Sequence, residues 1–276
     1  MISAKTKICL IIGDPIEHSL SPLLHNAGYK ALGIDDKFIF LAARVKLKAL
    51  KTVVEAVKAL GIRGLTCTMP HKIEIMKYLD KIDKVAKEIG AVNTVVNDNG
   101  ILKGYNTDWL GALKPIEKIT EIKGKKIGLI GAGGAARAIV YGLKKKRGKI
   151  KIFNKDLKQT EKLAKEFGLQ FGSFNDLGEL KNFDIIINAT PLGMKPYQNL
   201  SPVPKEIFSQ NQIVMDAVYI PYKTKMLKEA EERGAKIVPG IEMFLEQGFS
   251  QFVLYTKKKA PAKAMRQALM NYFKNV

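Results

Sequence analysis

Gly131, Gly133 and Ala136 carry the spacing of a phosphate-binding turn within residues 126–139, KIGLIGAGGAARAI. The first glycine permits a tight turn, and the second lets backbone approach a pyrophosphate. The small third residue lets helix pack close to strand. The helix pattern that opens after Gly134 turns its N-terminus toward the phosphates. A second set of polar residues stands where packing alone would not put them. Lys72 falls in the first turn of a helix pattern after Pro70, where a cation opposes the helix dipole at roughly a few tenths of a kcal/mol. Ser19 and Ser21 lie in His18-Ser19-Leu20-Ser21-Pro22, a loop past a strand end; a helix N-cap explains Ser21 and leaves Ser19 unexplained. Asp108 ends the run Gly104-Tyr105-Asn106-Thr107-Asp108 before a helix, where a cap would suffice. Gln247 interrupts an otherwise apolar helix side.

The elements that must position these residues alternate strand and helix. Lys7–Ile12, Phe38–Ala42 and Leu65–Met69 read as strands; Pro22–Leu32, Leu47–Leu60 and Lys72–Leu79 read as helices. Thr94–Val96 and Ile101–Leu102 flank Asn97-Asp98-Asn99-Gly100, a hairpin turn. Trp109–Ile119 is expected to be a linking helix kinked or broken at Pro115. Strands follow at Lys126–Ile130, Lys149–Phe153, Asp184–Asn188, Ile213–Asp216 and Lys236–Val238. Two helices, Glu242–Tyr255 and Ala262–Phe273, then return to the first part. The pattern is α/β with a partly mixed first sheet. It predicts three segments: a substrate-binding part over 1–108, a nucleotide-binding part over 109–239 and helices over 240–276 that pack back on the first part.

Composition bounds the function. A chain of 276 residues, 46% of them hydrophobic, buries a large core and suggests about two domains. The first apolar run, Ile8–Ile12, is too short for a signal peptide, and no run approaches the ~18 apolar residues of a membrane span. Cys9 and Cys67 sit in strands without metal-ligand spacing, which fits a reduced, cytoplasmic protein and no metal site. The net charge of +20 comes almost entirely from lysine spread along the chain. Specific nucleic-acid readers favour arginine, so the charge reads as a solvated surface that attracts anionic small molecules and not as a nucleic-acid footprint.

Taken together, these segments resemble the shikimate dehydrogenase family, including the dehydrogenase half of the plant bifunctional enzymes. The resemblance spans essentially the whole chain. It rests on the Ser-x-Ser-Pro loop, Thr68-Met69-Pro70-His71-Lys72, Ala91-Val92-Asn93-Thr94, Asn106-Thr107-Asp108, the Gly-rich loop, Asp216–Tyr219 with Pro221, and the late helix from Gly240 to Gln247. It implies a Rossmann-type doubly wound nucleotide-binding domain beside an α/β substrate domain. The implied activity is NADPH-dependent, reversible reduction of 3-dehydroshikimate to shikimate, in the supply of chorismate and the aromatic amino acids. By the resemblance, Lys72 and Asp108 form the catalytic pair. Ser19 and Ser21 bind the substrate carboxylate; Thr66, Thr68, Asn93 and Gln247 address the ring, and Tyr219 closes over it. Gly131, Ala132, Gly133, Gly134, Ala135, Asn154, Lys155, Asp156, Thr190 and Gly240 are assigned to the cofactor.

Two positions depart from the family pattern. Thr66 stands where many bacterial members carry asparagine, which puts one substrate hydrogen bond in question. The second strand of the nucleotide part ends at Asn154-Lys155-Asp156, where NADP-preferring relatives read Asn-Arg-Thr. Lys155, helped by Lys158, neutralises a 2′-phosphate as a point charge, whereas Asp156 is suited to a ribose diol. NADP is expected over NAD. The rival readings are a quinate/shikimate dehydrogenase using NAD(P) and a nucleotide-sensing regulator that has lost catalysis. The only partner expected is a small molecule, with the chain a monomer or homodimer.

Overall fold

The computed structural model describes Met1–Asn275 and divides into two compact units, Met1–Thr107 with the chain from Gln247 onward, and Asp108–Glu246. In the first unit the elements are β1 (Lys7–Gly13), α1 (Ser21–Ala31), β2 (Phe38–Arg44), α2 (Leu50–Ala59) and β3 (Gly64–Cys67). They continue as α3 (His71–Glu74), β4 (Lys81–Ile82), α4 (Lys84–Ile89), β5 (Thr94–Asp98) and β6 (Ile101–Tyr105). The six strands pair in the order β2-β1-β3-β5-β6-β4. β1 runs parallel to both β2 and β3, and the β5–β6 hairpin enters antiparallel to β3. One apolar cluster packs Leu50, Val54 and Val57 of α2 on Leu65, Cys67 and Val95 of the sheet, as the 3–4 residue spacing along α2 requires.

In the second unit α5 (Asp108–Glu117) precedes β7 (Lys126–Ile130), α6 (Gly134–Lys145), β8 (Lys149–Phe153), α7 (Leu157–Phe167) and β9 (Gln170–Gly172). Then come β10 (Ile185–Asn188), β11 (Ile213–Asp216), α8 (Lys225–Glu232) and β12 (Lys236–Val238). All six strands are parallel, in the order β12-β11-β10-β7-β8-β9. The chain winds one way from β7 to β8 and β9, and the other way to β10, β11 and β12. The strand order therefore reverses between β7 and β10, the place where open α/β sheets bind ligands. α9 (Gly240–Thr256) and α10 (Ala262–Lys274) end the chain; the division between the units falls within α9, and α10 packs on α1.

Some elements differ from their sequence pattern. Pro115 does not break α5, which runs two residues past it; it is buried within the helix and forgoes one backbone N–H. Leu47–Leu60 is not one helix, since Leu47–Ala49 forms a 3₁₀ turn ahead of α2. Lys72–Leu79 likewise divides into a single α turn, α3, and a 3₁₀ turn at Ile75–Tyr78.

Candidate active site

The topology of the first sheet gathers most of the polar set at one end. β1 and β3 are parallel neighbours, so the loops that leave them at Gly13 and Cys67 emerge together. The loop after β1 carries Ser19 and Ser21; the one after β3 carries Thr68 and leads into Lys72. Thr68 N–H donates to the Ile12 carbonyl at 3.0 Å, which ties the two loops at their base. A Cβ on Gly13 would lie 2.5 Å from the Thr68 methyl, so this close approach needs a glycine. Ser19 Oγ accepts from the Ser21 N–H at 3.3 Å. Ser21 is buried and opens α1, whose N-cap is Leu20 without a side-chain cap. The capping reading of Ser21 is therefore replaced by a first-turn position.

α3 is short and is held by its neighbours. The His71 ring is buried, with Nε2 2.8 Å from the Val45 carbonyl oxygen. Burial pushes this imidazole's pKa down, against the pull of that carbonyl. The Lys72 carbonyl accepts from Val92 N–H at 2.8 Å, one residue before Asn93, and the Lys72 side chain is half-buried.

Because β5 is antiparallel to β3, Asn93 stands at the same sheet end as Cys67, whose N–H donates to the Asn93 carbonyl at 2.8 Å. Because β6 returns along β5, Thr107 reaches Asn93 as well. Asn93 Nδ2 donates to Thr107 Oγ1 at 2.9 Å, and Thr107 N–H donates to Asn93 Oδ1 at 2.9 Å. Asn106 Nδ2 holds the Ala91 carbonyl at 2.9 Å. Thr66, Asn93, Thr107 and Gln247 are all buried, as is Asp108, the first residue of α5. Thr66 meets Tyr255 and Gln251 of α9 at 2.8 and 3.4 Å. Its hydroxyl is thus engaged inside the protein. Gln251 and Tyr255 were missed in the sequence, although Gln247, Gln251 and Tyr255 recur at four-residue steps along one helix side.

In the second unit, Gly131 follows β7 with φ +112° and donates its N–H to the Phe153 carbonyl at 2.7 Å. A Cβ there would lie 3.0 Å from the Ala189 backbone and 3.2 Å from the Thr190 methyl, so only glycine suits the turn. Gly133 adopts extended backbone at the N-cap of α6, with no side-chain cap and nothing within 4 Å of a Cβ position. Ala132, Gly134 and Ala135 complete the turn; the first-turn N–H groups of α6 thus meet an open cradle with no side-chain acceptor from the cap. Thr190 is fixed by Asn188 Oδ1, which accepts from its N–H at 2.9 Å and its hydroxyl at 2.7 Å.

At the end of β8, Lys155 and Lys158 are exposed, and neither pairs with a carboxylate among the described residues. Asp156 caps α7, accepting from Gln159 N–H at 3.1 Å, and Asn154 Nδ2 lies 3.3 Å from Gln159 Oε1. The carboxylate suited to a ribose diol is engaged by its own helix.

Asp216, at the end of β11, is wholly buried and accepts from Val218 N–H, Thr224 Oγ1 and Asn188 Nδ2 at 2.9, 2.7 and 2.9 Å. It pins both ends of the segment that carries Tyr219, whose ring stacks on Phe244 with centroids 4.4 Å apart. Burial drives the Asp216 carboxyl up to about 7 against the pull of those three donors. A Cβ on Gly240 would stand 2.2 Å from the Val218 carbonyl oxygen, so the start of α9 packs directly on this segment.

Known proteins match the chain along nearly its whole length. Residues 11–95 match the shikimate dehydrogenase substrate binding domain, 114–195 the shikimate/quinate 5-dehydrogenase domain, and 240–270 the shikimate 5′-dehydrogenase C-terminal domain. The chain is 43% identical to shikimate dehydrogenase (NADP(+)) of Methanocaldococcus jannaschii, over 98% of this chain and 99% of that one. A crystal structure of a shikimate dehydrogenase in complex with NADP+ superposes with TM-score 0.92 at 42% identity, covering 99% of this chain and 98% of the other. Shikimate 5-dehydrogenase of Listeria monocytogenes, in complex with shikimate and NAD, gives TM-score 0.88 at 37% identity over 97% and 98%. Whole-length identity above 40%, three consecutive domain matches and the two sheets with their loops agree: the chain belongs to the shikimate dehydrogenase family.

Proposed function

We propose that the protein catalyses the reversible, NADPH-dependent reduction of 3-dehydroshikimate to shikimate. The observation that carries this reading is the 2.8 Å bond from Val92 N–H to the Lys72 carbonyl, which sets the lysine beside Asn93 at the sheet end where Ser19, Ser21 and Thr68 emerge. That end offers hydroxyl donors for a carboxylate, an amide for ring oxygens and an ammonium.

The residues of the second unit fit a dinucleotide. The glycine-only turn at Gly131, the open cradle at Gly133 and the first turn of α6 would hold the pyrophosphate, with Thr190 beside Gly131; Gly240, packed on Val218, would meet another part of the cofactor. Lys155 and Lys158 would hold the 2′-phosphate, while Asp156 stays with α7. The bound nicotinamide supplies or accepts the hydride.

In this reading Lys72 donates to the substrate oxygen that changes between ketone and hydroxyl. It stabilises the charge that grows there and delivers the proton. Asp108 accepts from the neighbouring hydroxyl and orients the ring. Ser19 and Ser21 fix the carboxylate, Thr68, Asn93 and Gln247 fix the ring oxygens, and Thr66 acts from behind through α9. Tyr219, braced by Phe244 and Asp216, excludes water. Two buried thiols, Cys9 and Cys67, both pushed up by burial, suit a reducing cytoplasm. Among the described residues no helix is long and apolar enough to cross a membrane.

Oxidation of shikimate and of quinate, each with NADP and with NAD, tests the reading. The expected order is shikimate over quinate and NADP over NAD. A quinate preference would reassign the substrate, and absence of turnover with all four pairs would end the catalytic reading. Sedimentation distinguishes monomer from homodimer.

A further inference from the structure

Six buried side chains of the first unit form one hydrogen-bonded chain: Tyr255, Thr66, Gln251, Thr94, Asn93 and Thr107. Its polarity follows from a single fixed point. The backbone N–H of Thr107 can only donate, so the Asn93 atom 2.9 Å from it is the carboxamide oxygen. That oxygen also lies 2.7 Å from Thr94 Oγ1, which therefore gives its one proton to Asn93. Thr94 then has only lone pairs for Gln251, so Gln251 must present Nε2, at 3.0 Å. Gln251 Oε1 is thereby turned to Thr66 Oγ1, 3.4 Å away, which donates to it. The 2.8 Å contact between Thr66 and Tyr255 is left with the phenol as donor. Every bond in the chain points the same way, from Tyr255 to Thr107.

We propose that Gln251 is a positioning residue for Asn93. By presenting N–H to Thr94 it keeps the Thr94 proton on Asn93 Oδ1, and so holds the Asn93 carboxamide with N–H, not oxygen, for the substrate. The inference rests on the reading of Asn93 as a ring contact given above. Gln251 is 0% exposed, so it acts through its neighbours. The chemistry suits a ring whose oxygens alternate between hydroxyl and ketone: a ketone only accepts, so a contact of fixed donor polarity serves both directions of the reaction. A side chain at 251 that only accepts would draw the Thr94 proton away. It would then set two lone-pair-bearing oxygens against each other across 2.7 Å.

Gln251→Glu makes that reversal with little change of shape, and its protonated form restores a donor. The groups near the chain leave a window for it. Burial takes His25, which Gln251 faces and pulls the other way, down to about 3 and Cys9 up to about 12, and it raises Cys67 and Tyr255 as well. Lys7, Arg63 and Lys72 are the cations that act on those thiols. With NADP saturating, the shikimate KM of Gln251→Glu is expected to rise about tenfold or more as the introduced carboxyl ionises, with kcat within a few-fold and KM near wild type once it is protonated. Gln251→Met, less similar in shape but unable to take the proton, should raise KM by less. In a Thr94→Val background the Gln251→Glu effect on KM should vanish, because no hydroxyl remains to reverse.

If Gln251→Glu fails to fold, Thr94→Val alone still reads the chain, through a rise of KM of about threefold or more and a displaced Asn93 side-chain amide resonance in the ligand-free protein. Equal KM for Gln251→Glu and wild type at all pH values would overturn the proposal. So would additivity with Thr94→Val, a larger effect from Gln251→Met, or an unmoved Asn93 resonance in Thr94→Val. A wild-type enzyme without shikimate turnover would instead overturn the substrate reading, and the amide resonance would still report the polarity.

Discussion

The imidazole of His25 lies flat on the ring of Phe40, centroids 4.3 Å apart and planes 5° from parallel. It is wholly buried, and among the described residues neither ring nitrogen makes a hydrogen bond of good geometry, although Gln251 lies near enough to pull its pKa up. Burial takes its pKa from 6.5 down to about 3. Between those values the unfolded chain binds a proton that the folded chain refuses, so on this group's account stability rises with pH from about 3 to 6.5. His25→Phe keeps the stack and removes the slope. Its stability gain over wild type should be about 2 kcal/mol larger at pH 5 than at pH 7.5, from 1.5 units at about 1.4 kcal/mol each. Urea melts at the two pH values measure this; an equal gain at both would contradict it.

Asp216 has the opposite slope. Its carboxyl is raised from 3.8 to about 7, so across that window the folded chain keeps a proton that the unfolded chain has lost. Stability therefore falls as pH rises from about 4 to 7, by up to ~1.4 kcal/mol per unit. Asp216→Asn should remove this fall and leave the His25 rise exposed. At neutral pH it should be at least as stable as wild type, because the amide buries no charge, keeps its oxygen for the Val218 and Asn188 N–H groups and donates to the Thr224 hydroxyl, which can accept. Melts from pH 4.5 to 7.5 that kept the wild-type pH dependence would exclude the assignment.

Lys72→Ala should lower kcat by roughly 10²–10⁴ while substrate affinity changes little, because the lysine acts on charge that develops during the reaction. Steady-state kinetics with shikimate and NADP supply the test. A kcat within a few-fold of wild type would remove Lys72 from the chemistry.

Lys155→Ala should weaken NADP about tenfold or more and NAD by less than about threefold, since the 2′-phosphate that the lysine would meet is absent from NAD. Asp156→Ala should leave the preference between the two cofactors unchanged and lower the melting temperature, as its carboxylate serves the Gln159 N–H. Titration of each cofactor by protein fluorescence reads both; parallel losses for Lys155→Ala would mean that it does not meet the phosphate.

The sheets were legible wherever an apolar run was bounded by turn residues: Ile213–Asp216 and Lys236–Val238 are strands over those very residues. Short elements without an apolar run were not. α4 has six residues and β9 three, too few for a period to show, and each is held by packing or by the Asp83 cap. Pro115 misled because a proline within a helix is costly in isolation, while here its ring is buried. At the site, single residues with the wrong polarity for their place, such as Lys72 and Gln247, stood out. The chain behind Asn93 did not, because Thr94 and Tyr255 are ordinary strand and helix residues, and their bonds depend on which strands and helices meet.

Asn93 and Thr107 are 14 residues apart and join only because the β5–β6 ladder aligns Thr94 with Tyr105. The tip of that ladder is closed locally, by Gly100 N–H donating to Asn97 Oδ1 at 2.8 Å, and is open on its outer side, where nothing lies within 4 Å of a Cβ on Gly100. Residues added beyond Asn99 would leave the Thr94–Tyr105 register in place. A one-residue slip in either arm would turn its side chains to the opposite face and pull the amide from its threonine. The pairing thus works as a ruler, tolerant of additions beyond its end and of none along its length.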